Sequence, residues 1–540
     1  MRFLSKGRRL SPLLAVSLFL VAAAADAQTW SSDFNISEGD VNETQTPLNN
    51  QRAIAVDDSN NVYFMFGDNR AVTPGETTWE IYFRRFTWNF GSPSITRVTN
   101  APNPSRNPSI ATVNWGLGNN ATAADSGRIY MVWQDARPYA VPATGPPKSY
   151  SIYFRTYMSR GGEGFGPEFQ VSPYDSINPA TAPVVACGDS DRVWLVYPRG
   201  TGTVTAGPAD LWYAVYNSKT RTMGAEQRLT NDPALSLTPT VAATRDGVIH
   251  VAWNDSRSGK QQIWTKRFVP GSGWTADEQI VFSPASGIAT LPSLVATYTG
   301  HLHLVWRDTR DGNGEIYYKE YSPGTGWDPV DVRLTTNSAS QTEPNVDADP
   351  TNNVYVVWKD QRNGSADHDI YFQQRSGGTW AGEFMLVGAN SDTSDSFQES
   401  PGIGHDSELT LYVAWTDHRL PASTGKNKDA YYKFGTGIMT GVDEAPAPGL
   451  SRLLRNYPNP FNPRTRIEFN LPRDAQVSLR VYDVAGRLVR TLVDGYLAGG
   501  RRTIDWDGKG DNGVTLASGT YFLKLDGAGQ TVTRRVNLLK

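Results

Sequence analysis

The sequence predicts an all-β chain: a seven-bladed β-propeller closed by its own N-terminal strand, then a small antiparallel immunoglobulin-like sandwich. Three observations carry this. A W-x-D-x-R motif recurs at Trp133–Arg137, Trp253–Arg257, Trp306–Arg310, Trp358–Arg362 and Trp415–Arg419. Phe66-Gly-Asp68-Asn-Arg70 is a copy with Phe for Trp, and Tyr197-Pro-Arg199 stands where a decayed copy belongs. Consecutive anchors lie 52 to 67 residues apart, which is the period of a propeller blade. Second, a proline precedes the anchor by 14 residues in five copies, at Pro183, Pro239, Pro292, Pro344 and Pro401. Third, each anchor is followed by a second aromatic run, such as Ile81-Tyr-Phe, Ile152-Tyr-Phe, Ile316-Tyr-Tyr and Ile370-Tyr-Phe.

Each unit therefore reads as four short strands: Pro-x-Val-Ala, the motif strand, the Ile-Tyr-Phe strand, and a segment such as Val332-Arg-Leu-Thr335. Runs rich in β-branched and aromatic residues, bounded by Gly, Pro, Asn and Asp, are strand signals.

In chain order, residues 1–27 carry Lys6, Arg8 and Arg9, an apolar run from Leu13 to Ala25, and the small-residue site Ala25-Asp26-Ala27. That is the pattern of a secretory signal peptide, cleaved before Gln28. No later segment has the length of a membrane span. Residues 28–435 are the propeller. The last unit ends after Ala430-Tyr-Tyr-Lys-Phe434 without a fourth strand, and Asp33-Phe-Asn-Ile-Ser37 resembles a fourth strand without a unit. Closure of the ring by the N-terminal strand removes the open edges of a linear array. Six blades would require the unit around Tyr197 to be none, against its Pro183, Trp194 and Leu211-Trp-Tyr.

Residues 436–455, with Glu444-Ala-Pro-Ala-Pro-Gly, read as a linker. Beyond it, alternation in Val477/Leu479/Val481 and Tyr521/Leu523/Leu525 marks half-buried strands of a sandwich over residues 456–540. With Asn456-Tyr-Pro-Asn-Pro-Phe-Asn-Pro463 and the terminal Val536-Asn-Leu-Leu-Lys540, this segment resembles the C-terminal sorting modules of type IX secretion, which have a FlgD-like immunoglobulin fold. The resemblance implies export, a secretion machinery as partner, and an extracellular or outer cell-surface location.

A formal charge of −3 over 540 residues gives no nucleic-acid signal, and the single Cys187 excludes an internal disulfide framework. His250 and His303 sit three residues before an anchor, where other units have Tyr63, Tyr130, Tyr355 and Tyr412. They read as packing substitutions, and no metal or cofactor is expected. Neither Asp308–Glu315 nor Asp505–Asp511 fits the twelve-residue calcium loop.

Trp, Asp and Arg of the motif share one strand face. An acid precedes the third strand at Glu80, Asp210, Glu315, Asp369 and Asp429, and the motif arginine is expected to pair with it. Because the set repeats around the ring, it reads as framework rather than as a catalytic site, which needs asymmetry.

The propeller region resembles sialidase-related and BNR-like propellers in architecture and rhythm. The turns Ser322-Pro-Gly-Thr-Gly-Trp327, Pro270-Gly-Ser-Gly-Trp274 and Gly377-Gly-Thr-Trp380 fall where that family has its Asp box, but they are shorter and lack the Asp. No residue matches the family's arginine triad or nucleophile, so no catalytic residue is assigned. The asymmetric feature is loop length: Arg70–Glu80, Arg137–Ser151, Arg199–Asp210 and Arg419–Asp429 are long in four consecutive units. These loops predict a wall beside the ring mouth, with Trp79, Arg137 and Tyr139 as ligand-binding candidates. The expected function is a non-catalytic module that binds a glycan or another surface macromolecule; the alternative is a diverged secreted glycoside hydrolase.

Overall fold

The computed structural model describes residues 29–436 and 455–538, apart from 32, 38–43, 48–51, 58–59, 71–77, 87–94, 113–126, 138–148, 159–163, 189–190, 201–208, 285, 298, 365–367, 388–396, 408, 419–427, 458–460, 462, 472–473, 484–485, 499 and 528–529. The predicted signal peptide, the interior of the predicted linker and most of the long loops lie outside the described residues. All named elements are strands, and no described helix is long and apolar enough to cross a membrane.

Among the described residues, 29–436 form seven separate open sheets, each of four or five strands. Unit five shows the plan: Ala289–Ala296, Leu302–Asp308 and Glu315–Ser322 follow one another as an antiparallel meander. The single fourth strand expected from the sequence is two pieces, Gly326–Trp327 and Val332–Arg333, both paired with Glu315–Ser322. Pro329 lies between them and cannot donate to a ladder. In unit two the outer strand, Gly164–Gln170, is continuous apart from one register shift.

Motif strands such as Val354–Asp360 are buried throughout because sheets stack face to face. Ala252 and Ile263 of unit four pack with Leu302, Leu304 and Trp306 of unit five. The same kind of cluster joins Ile54 and Phe64 of unit one to Tyr412, Ala414 and Tyr432 of unit seven. At the N-terminus, Thr29–Trp30 and Phe34–Asn35 both pair with Asp429–Thr436, placing Trp30 opposite Gly435 and Phe34 opposite Tyr432.

The repeated proline marks a backbone feature. The residue before it takes a positive φ in six units: Asn107 49°, Ala182 42°, Thr238 47°, Leu291 55°, Glu343 54° and Ser400 54°. In five of these the register with the motif strand shifts at the same place, as between Thr290 and Ser293. The bulge takes the proline nitrogen out of the ladder, and it bends the strand where the unit begins. Side chains such as Thr and Leu rarely adopt this region, so its recurrence is a built feature.

The C-terminal part is an immunoglobulin-like pair of sheets. One contains Thr465–Leu471 and Gly500–Trp506; the other contains Ala475–Asp483 and Gly519–Gly527. The alternating residues Val477, Leu479, Val481, Leu523 and Leu525 meet Phe461, Ile467 and Trp506 in its core.

Candidate functional site

Outside unit three, where Tyr197-Pro198-Arg199 lacks the aspartate, the motif residues converge on one carboxylate per unit. In unit five, Asp308 is fully buried and accepts from the Trp306 indole at 3.0 Å, the Arg310 amide at 2.9 Å, Arg310 Nη2 at 2.6 Å and Ser283 Oγ at 2.7 Å. Asp135, Asp255 and Asp360 have corresponding indole and arginine donors. Burial opposes ionisation of Asp255 and Asp308. The arginine, tryptophan and serine donors outweigh it and hold both carboxyls below the usual range. With its acceptors taken and no exposure, this carboxylate has nothing left for a substrate.

The arginine's expected partner needs correction. Arg310 pairs with its own Asp308 and with Asp331 of the outer segment at 2.8 Å, while its guanidinium lies 4.3 Å from the Tyr317 ring centre. Arg257 and Arg362 do likewise with Asp277 and Glu383. The acid before the third strand serves a different arginine: Glu80 binds Arg97 at 3.1 Å and Glu315 binds Arg333 at 2.8 Å. Two acids per unit compete for the arginine, and the outer one lies alongside the aromatic shelf that already holds it.

An asymmetric group stands where units six, seven, one and two meet the bulges. The Trp79 ring is half-buried, with Arg106 Cζ 4.8 Å and Lys428 Nζ 5.3 Å from its centre. It lines a cavity of about 130 Å³ with Gln45, Gly67, Arg106 and Asn107. Lys428 also donates to Gln45 at 3.0 Å. Next to it, Glu399 meets His418 Nε2 at 3.3 Å, and the His418 ring stacks on Phe397 with centroids 3.7 Å apart. Lys359 pairs with Glu343, whose second oxygen accepts the Ser400 amide at 2.8 Å. Burial would raise Glu399, but the His418 bond and the charges of His418, Lys359 and Lys428 outweigh it and hold the carboxyl below its ordinary value.

The three predicted residues separate. Trp79 belongs to this group. Arg137 is the unit-two copy of the repeated pair, bound to Asp135 at 2.7 Å and to Glu168, and it lines a different cavity with Arg97, Arg155 and Phe165. Tyr139 lies outside the described residues. Sequence reasoning missed Glu343, Lys359, Glu399 and His418, because each occupies a repeat position. Comparing the units position by position carries the signal: the residue between motif Trp and Asp is Gly67, Gln134, Asn254, Arg307, Lys359 or Thr416. Among the described residues no cluster of His, Cys, Asp and Glu has the geometry of a metal site.

Two families match parts of the chain: the BNR repeat-containing family over residues 237–383 and the FlgD Ig-like domain over residues 462–530. No curated relative matches the sequence. Among solved structures, a protein of unknown function from Dyadobacter fermentans is similar at 10% identity and TM-score 0.43, covering 76% of this chain and 99% of its own. The polysaccharide lyase Uly1 is similar at 11% identity and TM-score 0.45, over 77% of this chain and 94% of its own. The Hadza microbial sialidase Hz136 is similar at 14% identity and TM-score 0.38, over 65% and 72%.

Proposed function

We propose that this chain is an exported protein whose seven sheets are the blades of one ring, closed by the N-terminal strands, and whose bulge-side face binds an acidic glycan without cleaving it. The carrying observation is Trp79 flanked by Arg106 and Lys428. An aromatic face packs on the apolar face of a sugar ring, and the two cations neutralise a carboxylate or sulfate beside it. The BNR match over residues 237–383 supports a glycan-related propeller. The FlgD Ig-like match over residues 462–530 supports a terminal module that serves export and display at the cell surface through type IX machinery.

Glycoside hydrolysis is the second reading, and Glu343 and Glu399 on neighbouring first strands favour it. Such a reaction needs one carboxyl raised to act as a general acid. Glu399 is shifted the other way, and Glu343 is engaged by Lys359 and the Ser400 amide. Binding is therefore the better account.

The test compares uronate-rich, sulfated and neutral polysaccharides by calorimetry, with chain length followed afterwards by size exclusion. Binding confined to acidic chains of unchanged length supports the proposal. Equal binding to neutral chains defeats the acidic reading; shortened chains defeat the non-cleaving reading, and new reducing ends without an unsaturated uronate establish the hydrolase.

A further inference from the structure

The first strands of all seven units line a second cavity of about 130 Å³. Many of its lining residues are small or apolar, as at Ala111, Val295 and Ile403, but most of its exposed surface is polar, and Arg52, Arg245, Asp347 and His405 line it with Cys187 beside them. Three of these break the repeat. Five residues before the hairpin acids Asp349 and Asp406 stand Pro344 and Pro401, but before Asp57 stands Arg52. The third residue after the proline is Ala111, Ala186, Ala242, Val295 or Gly404 in other units and Asp347 in unit six. The fourth is Ala243, Ala296 or Ala348 in units four to six and His405 in unit seven. Departures that collect in one cavity from three different units are the asymmetry that a repeated framework lacks.

Asp347 is the acid of the cavity wall, and Asp349 and Asp406 also lie within electrostatic reach of His405. Asp347 Oδ2 lies 2.5 Å from His405 Nδ1, so the carboxylate is already engaged. That contact outweighs burial and raises the His405 imidazole, favouring its cationic form. The Arg52 guanidinium lies within electrostatic reach of Asp347 and Cys187, yet it makes no hydrogen bond or ion pair with any described residue. The Arg52 side chain is partly exposed and lines the cavity without an acceptor among the described residues, so an anion there would replace only water on the guanidinium. Arg245 adds a further cation to the wall. It also lines an open cavity of about 660 Å³ between the hairpins of units four and five, with Asp246, Arg267 and Gly300, and so borders both cavities.

We propose that this axial cavity binds a small inorganic anion of halide or sulfate size, held by Arg52 with His405 and admitted past Arg245. The anion would complete the guanidinium's hydrogen bonds and tie units one, six and seven together from inside.

The probes are bromide and sulfate, titrated into the folded full-length protein at constant ionic strength against a bulky organic anion. A saturable rise in thermal midpoint is expected, together with a bromide anomalous peak beside Arg52 in soaked crystals. Arg52→Gln should weaken the apparent affinity about tenfold or more. An Arg52→Gln protein that titrates like the parent overturns the proposal. So does a soaked crystal with no bromide or sulfate in the cavity, a readout that holds even if Arg52→Gln fails to fold. Arg245→Gln provides a further arm: unchanged affinity and unchanged binding rate remove the proposed route.

Discussion

The Trp30 indole meets the Phe372 ring edge-on, with centroids 5.4 Å apart and planes at 72°. Trp30 is also paired in register with Gly435, and a side chain at Gly435 would come within 3.0 Å of the indole. One N-terminal residue thus pairs with unit seven and packs on unit six. Deleting residues 28–38 should lower the thermal midpoint of the whole propeller in a single transition, because it bares an edge and an apolar face together. Gly435→Ala should cost about 1–3 kcal/mol by displacing the indole. An unchanged midpoint in the deletion would falsify the closed-ring reading.

Arg310→Ala should lower stability by about 1–3 kcal/mol, since it strips the fully buried Asp308 of its charged donor and uncovers Tyr317. Affinity for an acidic glycan, measured well below the midpoint, should not change. A loss of affinity with stability intact would move the repeated pair from framework to binding surface.

Trp79→Ala should do the opposite. Its half-buried ring contributes contact area and holds the Arg106 and Lys428 side chains near it. Affinity should fall about tenfold or more, while urea unfolding shifts little. If calorimetry finds parental affinity in Trp79→Ala, the glycan does not use this cavity.

The strands and their order were legible because each unit repeats the same signals, and so was the shared strand face of Trp306, Asp308 and Arg310, but not that Arg310 binds Asp308. The identity of the arginine's second partner was not. Glu315 and Asp331 are both acids near Arg310 in sequence, and only the stacking on Tyr317 decides for Asp331. Trp79 could be read because it falls outside the repeat. Glu399 and His418 could not, because His418 occupies the motif's variable position. Their joint geometry with Lys359 and Lys428 arises only when units six and seven are stacked. Asp347, His405 and Arg52 were hidden for the same reason, being 295 residues apart from Arg52 to Asp347 in sequence.

Removing residues 456–540 should leave the propeller folded, since the sandwich has a core of its own from Phe461 to Leu538. The truncated and full-length proteins should fractionate differently in the native host, the short form failing to reach the outer surface. Equal surface display of both would remove the sorting role from the FlgD-like module.

In units one, six and seven a hairpin aspartate accepts a tyrosine hydroxyl: Tyr63 to Asp57 at 3.0 Å, Tyr355 to Asp349 at 2.9 Å and Tyr412 to Asp406 at 3.0 Å. Units four and five change both partners together, to Thr244 with His250 and Thr297 with His303. Burial pushes both imidazoles down to about 4, reinforced at His250 by Arg267 and opposed there by Asp246. Their folded values lie below the 6.5 of a free histidine. Their contribution is therefore fully present above that pH and is lost as pH falls toward 4, at up to about 1.4 kcal/mol per unit for each. His405 is raised instead, so its contribution is present at low pH and fades as pH rises. The double variant Thr244→Asp with His250→Tyr restores the aspartate–tyrosine pair and removes one depressed histidine without touching His405. Measured by urea unfolding between roughly pH 7.5 and pH 4.5, its stability relative to the parent should rise steadily as pH falls. A difference that stays constant across that range would mean that His250 does not stay neutral in the folded protein while the unfolded chain takes up its proton.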